Sequence, residues 1–301
     1  MITIIACALL VLGTVMPARA TYPGANGRIA FQLGPLPDGS AQIFTMNPDG
    51  SDVLQLTGFL PGEGSNIFPK WSPDGTKIAF DSSRDGDREI FVMNHDGANP
   101  VQLTFNTGTD RTPTWSPDGT KLIYSSNLDG DRDIWMLEIG TGQLTQITDG
   151  PGTDINPVFS PDGQRIAFSR FRGNGCAIYT VHADGTHLTR LTGDLKAQAW
   201  DWAPGGNFIS LVDNACADTE SDLFLKAPTG KGLIQLTNTA TNEFSPRFSP
   251  DGTSIVFTRA DLIDEVLHPA DIYVMAIDGS GATNLTNTPA IDELFPDWGP
   301  A

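Results

Sequence analysis

Two short acidic segments, DSSRDGDRE and NLDGDRD, place side-chain oxygens at alternate positions of the chain. The residues concerned are Asp81, Asp85, Asp87 and Glu89 in the first segment and Asn127, Asp129, Asp131 and Asp133 in the second. The spacing is similar to that of calcium-binding loops, because Ca²⁺ takes six to eight oxygen ligands. Neither segment has the full loop pattern with its closing bidentate glutamate. We therefore favour a hairpin turn shaped by Asp-Gly, with Arg88 and Arg132 neutralising charge.

Other catalytic or metal-binding patterns are missing from the sequence. It contains no G-x-S-x-G, H-E-x-x-H or phosphate-loop motif. The four histidines, which lie in turns, one strand and one long loop, are not predicted to converge on a metal ion; they are His95, His182, His187 and His268. The sequence thus predicts no catalytic residue and no enzyme.

Two markers recur along the chain at a regular interval. The turn sequence PDG and its degenerate form PGG recur every 43 to 46 residues, with prolines at Pro73, Pro117, Pro161, Pro204 and Pro250. An aliphatic residue followed by threonine recurs six times, at Leu56, Leu103, Ile147, Leu191, Leu236 and Leu285. Such a period is typical of tandem structural repeats.

Each repeat is interpreted as four short strands. In the unit that begins at Pro69, the strands are PKWS, KIAFDS, EIFVMN and VQLT, with Gly- and Asp-containing turns between them. The third strand is apolar on both faces and must be covered on both sides. Neighbouring four-stranded units that stack face to face satisfy this need, which predicts the blades of a propeller.

The repeat PxWSPDGxxIAFxS…DGxxEIFVMNxDGxxxxQLT is similar to that of the TolB-like beta-propeller family, and the resemblance covers nearly all of the chain after residue 20. It implies an all-β fold, a six-bladed propeller of four-stranded antiparallel blades. The resemblance concerns the propeller alone, without the α/β domain that precedes it in TolB.

The first and last repeats are each incomplete. The chain ends in FPDWGPA, which matches a first strand, whereas the first unit begins at NGRIAF, which matches a second strand. We expect the C-terminal strand to complete the N-terminal blade and so close the ring without an open edge.

One position of each repeat is rich in acidic residues. It lies five residues before the aromatic residue of the first strand and is occupied by Asn66, Asp110, Asp154, Ala197, Glu243 and Glu293. In a propeller these residues should ring one mouth of the central channel. We interpret Asp110, Asp154, Glu243, Glu293 and Asn66 as a binding site for a cationic peptide end or for Ca²⁺ held by the four acids. The alternative is a set of solvated loop acids.

The first twenty residues predict export. They combine a short apolar core with the sequence Ala18-Arg19-Ala20, as in a secretory signal peptide, so residues 21–301 would form the mature propeller. No other segment is predicted to span a membrane. In an oxidising compartment Cys176 and Cys216, in equivalent loops of adjacent repeats, would form a disulfide; two free thiols are the alternative. The expected location is the periplasm or the cell exterior.

The charge of the chain limits its partners. Acidic residues outnumber basic ones by 36 to 18, a formal net charge of −18, which disfavours nucleic acid and favours a basic protein or peptide. We therefore expect a monomeric, non-enzymatic protein- or peptide-binding scaffold of the cell envelope, resembling the TolB propeller, with no cofactor other than a candidate calcium ion. The alternative is a propeller-fold lyase or glycan hydrolase that uses carboxylates of the channel mouth.

Overall fold

The computed structural model describes residues 24–58, 62–173, 175–193, 195–214, 220–260, 262–263, 266–267, 269–288 and 291–301. Within these ranges the chain forms strands, turns and loops and no α-helix. No helix that could cross a membrane occurs in this part of the chain.

The described strands form six antiparallel sheets of four strands, the blades of a propeller, as the sequence predicted. From the innermost strand outwards, blade one contains β26 (Glu293–Pro300), β1 (Asn26–Leu33), β2 (Gln42–Met46) and β3 (Leu54–Gln55). Blade two contains β4 (Asn66–Trp71), β5 (Lys77–Ser82), β6 (Glu89–Asn94) and β7 (Val101–Gln102). Blade three contains β8 (Arg111–Trp115), β9 (Lys121–Ser126), β10 (Asp133–Glu138) and β11 (Gln143–Gln146).

The other three blades follow the same plan. Blade four contains β12 (Thr153–Phe159), β13 (Arg165–Arg172), β14 (Gly175–His182) and β15 (Thr189–Arg190). Blade five contains β16 (Gln198–Trp202), β17 (Ile209–Val212), β18 (Leu223–Lys226) and β19 (Leu233–Gln235). Blade six contains β20 (Asn242–Phe248), β21 (Ser254–Ala260), β24 (Asp271–Ala276) and β25 (Thr283–Asn284), with a two-stranded hairpin of β22 (Leu262–Ile263) and β23 (Val266–Leu267) between its second and third strands.

The ring closes as the sequence predicted, because the C-terminal strand β26 pairs with β1 in blade one. Ile29 lies opposite Trp298, and Leu33 lies opposite Glu293. The two strands approach closely at Gly27, where an added Cβ would lie 2.2 Å from the carbonyl oxygen of Pro300. The N-terminal blade thereby gains its innermost strand and leaves no inner edge unpaired.

The hydrophobic core lies between the blades. One cluster joins Ile90 and Val92 of blade two to Trp115, Leu122 and Tyr124 of blade three, and similar clusters join other neighbouring blades. This packing covers both faces of the third strands, which the sequence predicted from their two-sided apolar pattern. Each blade is therefore stabilised mainly by its neighbours.

Of the two cysteines of the predicted disulfide, one lies in the described part of the chain. Cys176 is buried at the start of β14. Cys216 lies outside the described residues. The pairing of Cys176 with Cys216 therefore stays a prediction, as does the signal peptide, whose residues also lie outside the described ranges.

Candidate functional site: the channel and the carboxylates between the blades

The threonine that ends each repeat has a structural role that the sequence pattern did not reveal. Its hydroxyl accepts a hydrogen bond from a backbone amide of the third strand at 2.9 to 3.0 Å in every blade. The same hydroxyl donates to the side chain just before that amide in five blades, for example from Thr148 to Asp133 at 3.0 Å. The repeated threonine thus links the outermost strand to an acceptor, usually acidic, at the start of the third strand.

The residues predicted to ring the channel mouth lie at the start of the first strands, and all are buried. Asn66, Asp110, Asp154, Glu243 and Glu293 are each at most 1% exposed. Each sits beside the residue of the preceding blade that receives the threonine hydroxyl. The resulting inter-blade pairs are Gln42 with Asn66, Glu89 with Asp110, Asp133 with Asp154, Asp222 with Glu243, and Asp271 with Glu293. The equivalent positions of blades four and five hold the buried alanines Ala177 and Ala197.

Two of these carboxylate pairs have an arginine as counter-charge. Arg170 donates to both oxygens of Asp154 at 2.6 and 2.5 Å, and Arg259 donates to Oε1 of Glu243 at 2.9 and 2.6 Å. Both arginines come from the second strand of the same blade, directly across from the acid. The cation offsets the cost of placing two carboxylates together inside the protein.

The other two carboxylate pairs have no such arginine across the strand. Burial raises the pKa of Glu89 to about 7, against hydrogen bonds from Thr104 and the Asn106 amide, and the neighbouring Asp110 raises it further. Burial likewise raises the pKa of Glu293 to about 7, with Asp271 adding to the shift. Both glutamates therefore hold a proton at pH values where an exposed glutamate has lost it.

The channel wall begins with a cluster of aromatic side chains that sequence analysis missed. Phe68 and Phe295 have left-handed φ values of 54° and 53°, at irregularities in the pairing of their strands, and their rings lie 4.3 Å apart. Trp200 and Phe244 lie 5.9 and 6.1 Å from the ring of Phe295, and the guanidinium of Arg111 lies 5.3 Å from the ring of Phe68. A signal for Phe68 and Phe295 was available in the sequence, because each lies three positions before the inner tryptophan of its repeat; Trp200 and Phe244 do not share this position.

Further along the same strands, paired charges line a cavity of about 100 Å³. Nζ of Lys70 lies 2.6 Å from Asp297, and Nη1 of Arg247 lies 3.9 Å from Asp201. Asp297 and Asp201 also accept hydrogen bonds from the backbone amides of Trp71 and Phe248. Burial lowers the pKa of Lys70 to about 8, and the nearby Arg247 lowers it further. Two cations and two carboxylates balance one another, so the cavity wall is polar with little net charge.

The acidic hairpin loops form two clusters of side-chain oxygens. Asp85, Asp87 and Glu89 each place a carboxylate oxygen within 4.8 Å of the others, and so do their counterparts one blade later, Asp129, Asp131 and Asp133. Arg88, expected to neutralise charge in the first segment, bonds at 2.6 Å to Asp81, the segment's first acid, and not to the three clustered carboxylates. The alternate spacing seen in the sequence thus brings three carboxylates together in each loop.

The histidines lie apart from these sites. His182 and His187 stack on each other at 4.3 Å near the outer part of blade four, and His95 is an exposed turn residue. His268 lies outside the described residues.

Comparison with known proteins identifies the family. The sequence profile of the family described as the TolB beta propeller domain matches residues 19–125 and 106–269, so the chain belongs to this family. A curated relative, the Tol-Pal system protein TolB of Anaeromyxobacter dehalogenans, is 44% identical over 57 residues, which are 19% of this chain and 12% of that protein. The chain therefore matches only a small part of the curated relative's length.

Solved structures agree with the fold. TolB from Acinetobacter baumannii superposes with a TM-score of 0.76 at 24% identity, over 93% of this chain and 68% of that chain. An oligogalacturonate lyase from Vibrio parahaemolyticus superposes with a TM-score of 0.60 at 14% identity, over 88% of this chain and 77% of that chain. The same architecture therefore occurs in an envelope-system protein and in an enzyme, so function must be argued from the site.

Proposed function

We propose that the protein is an exported, non-enzymatic scaffold of the cell envelope, which binds a segment of a protein partner at the aromatic mouth of its channel. Its family and its similarity to a protein of the Tol-Pal system support this role. The observation that carries the proposal is the half-buried cluster of Phe68, Phe295 and Phe244 beside Arg111. Aromatic side chains that remain partly accessible in a concave wall are typical anchor points for a partner's apolar side chains.

The dimensions and charges of the channel restrict what could enter it. The inner cavity of about 100 Å³ has room for a side chain but not for a folded domain. A peptide segment or a projecting loop therefore fits the mouth better than a flat surface does. The net charge of −18 would attract basic segments to the molecule as a whole. In this proposal Asn66, Asp110, Asp154, Glu243 and Glu293 fix the strand starts that shape the mouth.

The scaffold explains the carboxylates better than a hydrolase or lyase does. Glu89 and Glu293 have pKa values near 7, as a general acid requires, but both are buried between blades and do not line the inner cavity. A general acid must reach the bond that it protonates. Their burial beside threonine hydroxyls favours a structural role.

Site-specific crosslinking in an envelope extract tests this proposal. A photoreactive phenylalanine analogue at Phe68 should capture one or a few defined proteins. The same analogue at Val101, which is 55% exposed on the outer strand of the same blade, serves as the matched control. Equal capture from both positions, or none from Phe68, would contradict binding at the mouth. Turnover of a glycan substrate by the purified protein would replace the scaffold by the enzyme alternative.

A further inference from the structure

The acidic cluster of blade two, formed by Asp85, Asp87 and Glu89, lies beside a fourth carboxylate, that of Asp110. Asp110 is fully buried and faces Glu89 closely enough for the two to share a hydrogen bond when one is protonated. Its Oδ2 accepts from the side-chain amide of Asn106 at 2.7 Å. Among the described residues no donor reaches its Oδ1. A buried carboxylate oxygen without a donor is costly unless a shared proton or a bound cation supplies the missing positive charge.

The hydroxyl of Tyr124 is a second buried group without a partner in this place. The side chain is fully buried, and none of the described residues lies within hydrogen-bond distance of its hydroxyl. Burial raises its pKa, and the charges of Asp110 and Glu89 raise it further, so both carboxyl groups lie within electrostatic range of the phenol. A neutral oxygen and a carboxylate oxygen are therefore both left without hydrogen bonds behind Glu89.

The cluster also lacks a counter-charge from the protein. No basic side chain of the described part of the chain lies within 4.0 Å of the carboxylates of Asp85, Asp87, Glu89 or Asp110. Arg132 is near enough for its pKa to respond to Asp110, but its guanidinium donates to the carbonyl of Thr109 at 3.2 Å. Four carboxyl groups thus gather at this junction with no direct cationic partner in the described part of the chain.

We propose that a calcium ion binds at the junction of blades two and three, held by Asp85, Asp87 and Glu89, with Asp110 behind Glu89 adding the charge that makes the ion favourable. The donors are all oxygens, which suit a hard cation and not zinc or copper. Asp85 and Asp87 belong to the turn between β5 and β6. Ca²⁺ accepts ligands in flexible geometry, whereas Mg²⁺ demands a near-ideal octahedron. Bound calcium would tie the turn between β5 and β6 to the start of blade three.

The equivalent cluster of blade three provides an internal contrast. Asp129, Asp131 and Asp133 have the same spacing, and Asp133 faces Asp154 as Glu89 faces Asp110. There, however, Arg170 bonds to both oxygens of Asp154, although burial and the neighbouring acids still raise the pKa of Asp133 to about 6. The guanidinium already supplies the positive charge, so this cluster should bind calcium far more weakly or not at all.

The sequence suggested four acids as calcium ligands. In the described structure, Asp110 is the one of them that adjoins an acidic cluster without an arginine. Asp154 and Glu243 each bond to an arginine. Glu293 pairs with Asp271 but has no clustered acidic turn beside it among the described residues. The proposal therefore retains one of the four candidate positions, that of Asp110 at the junction of blades two and three.

Calorimetric titration of calcium into the chelator-treated full chain, together with thermal unfolding, tests this proposal. Wild-type protein should bind one calcium ion and gain thermal stability. Asp87→Asn should weaken binding at least tenfold, while the matched Asp131→Asn, 44 residues later in the repeat, should change it less than twofold. Neither side chain forms a hydrogen bond with another of the described residues, so both variants should fold.

A third variant separates the ion from general charge effects. Asp110→Asn removes like-charge repulsion, so it should melt higher than wild type in chelator and gain less on addition of calcium. Wild-type protein that shows neither heat nor a thermal shift at millimolar calcium would overturn the proposal. Equal weakening by Asp87→Asn and Asp131→Asn would overturn it too, because it would indicate diffuse attraction to an acidic surface.

Discussion

The junction between blades two and three and the junction between blades three and four place acidic residues at the same positions, yet only at the second does an arginine bond to the facing carboxylates. At the first, Glu89 faces Asp110, and the second strand offers Ser126 in the place that Arg170 occupies in blade four. At the second, Arg170 bonds to both oxygens of Asp154. The repeat thus determines where two carboxylates lie together. One residue of the second strand, an arginine or a serine, determines whether the protein itself neutralises their charge.

This difference determines whether a junction is neutralised by the protein or depends on protons and ions from the solution. A buried carboxylate pair that contains its own cation needs no charge from solution, and loss of that cation is costly, although burial still raises the pKa of Asp133 to about 6. A pair without a cation keeps a proton or recruits an ion, so its state depends on the solution. In this account some junctions are neutralised by an arginine, whereas the charge of the junction between blades two and three depends on pH and on bound ions. This junction lies close to the channel mouth that we propose as the partner-binding surface.

The largest effect is expected at the junction that closes the ring. Deletion of residues 293–301 removes β26, which supplies Glu293 opposite Asp271 and the innermost strand of blade one. The melting temperature should fall sharply and aggregation should increase, because an inner strand edge becomes exposed. Removal of the exposed Ala301 alone is the control and should have little effect. An unchanged melt of the longer deletion would show that closure does not stabilise the ring.

Removing the arginine of the compensated junction should have the next largest effect. Arg170→Met leaves Asp154 and Asp133 buried together without a cation, and breaking a buried ion pair in this way costs about 3–5 kcal/mol. Urea unfolding of the variant and the wild type measures this loss. The exposed Arg172 lies two residues further along, on the same face of the strand, and provides a control as Arg172→Met, which should cost less than about 1 kcal/mol. A comparably small loss for Arg170→Met would contradict the assigned role.

A smaller, pH-dependent effect on stability is expected at the junction between blades two and three. The pKa of Glu89 is raised above its unfolded value, so its contribution to stability is fully present below about pH 4.5 and is lost as the pH rises through about 7. Glu89→Gln, which stays neutral, should remove this part of the decline between pH 5 and pH 7.5. Thermal unfolding across that range in chelator compares the two proteins. Identical pH profiles would show that Glu89 does not carry the proton.

The sequence predicted the fold well because the determinants of the fold are local. The Pro-Asp-Gly turn, for instance, is set within a few residues, where Ser72 donates to Asp74 at 2.6 Å and Gly75 takes a φ of 69°. The regular recurrence of that turn gave the number of blades, and the two incomplete repeats gave the closure. Each of these signals can be read without knowing which residues meet in space.

The site was harder to predict because its determinants lie between repeats. Glu89 and Asp110 are 21 residues apart and meet only because the third strand of one blade lies beside the first strand of the next. The sequence therefore placed Asp110 correctly at a first-strand start but not its buried neighbour. Likewise, the turn of Phe68 into the channel depends on a local irregularity in strand pairing, which the residue type alone does not indicate.

Titration of the Glu89 carboxyl by ¹³C NMR, with and without calcium, tests the contrast between the junctions most directly. We expect its pKa near 7 in chelator, because the carboxyl is buried against Asp110, and a clear shift to lower pH in calcium, because the ion favours the ionised form. A Glu89 carboxyl that titrates at the ordinary value of about 4.5 in both conditions would contradict the account, since the junction would then be neither strained by charge nor bound to an ion.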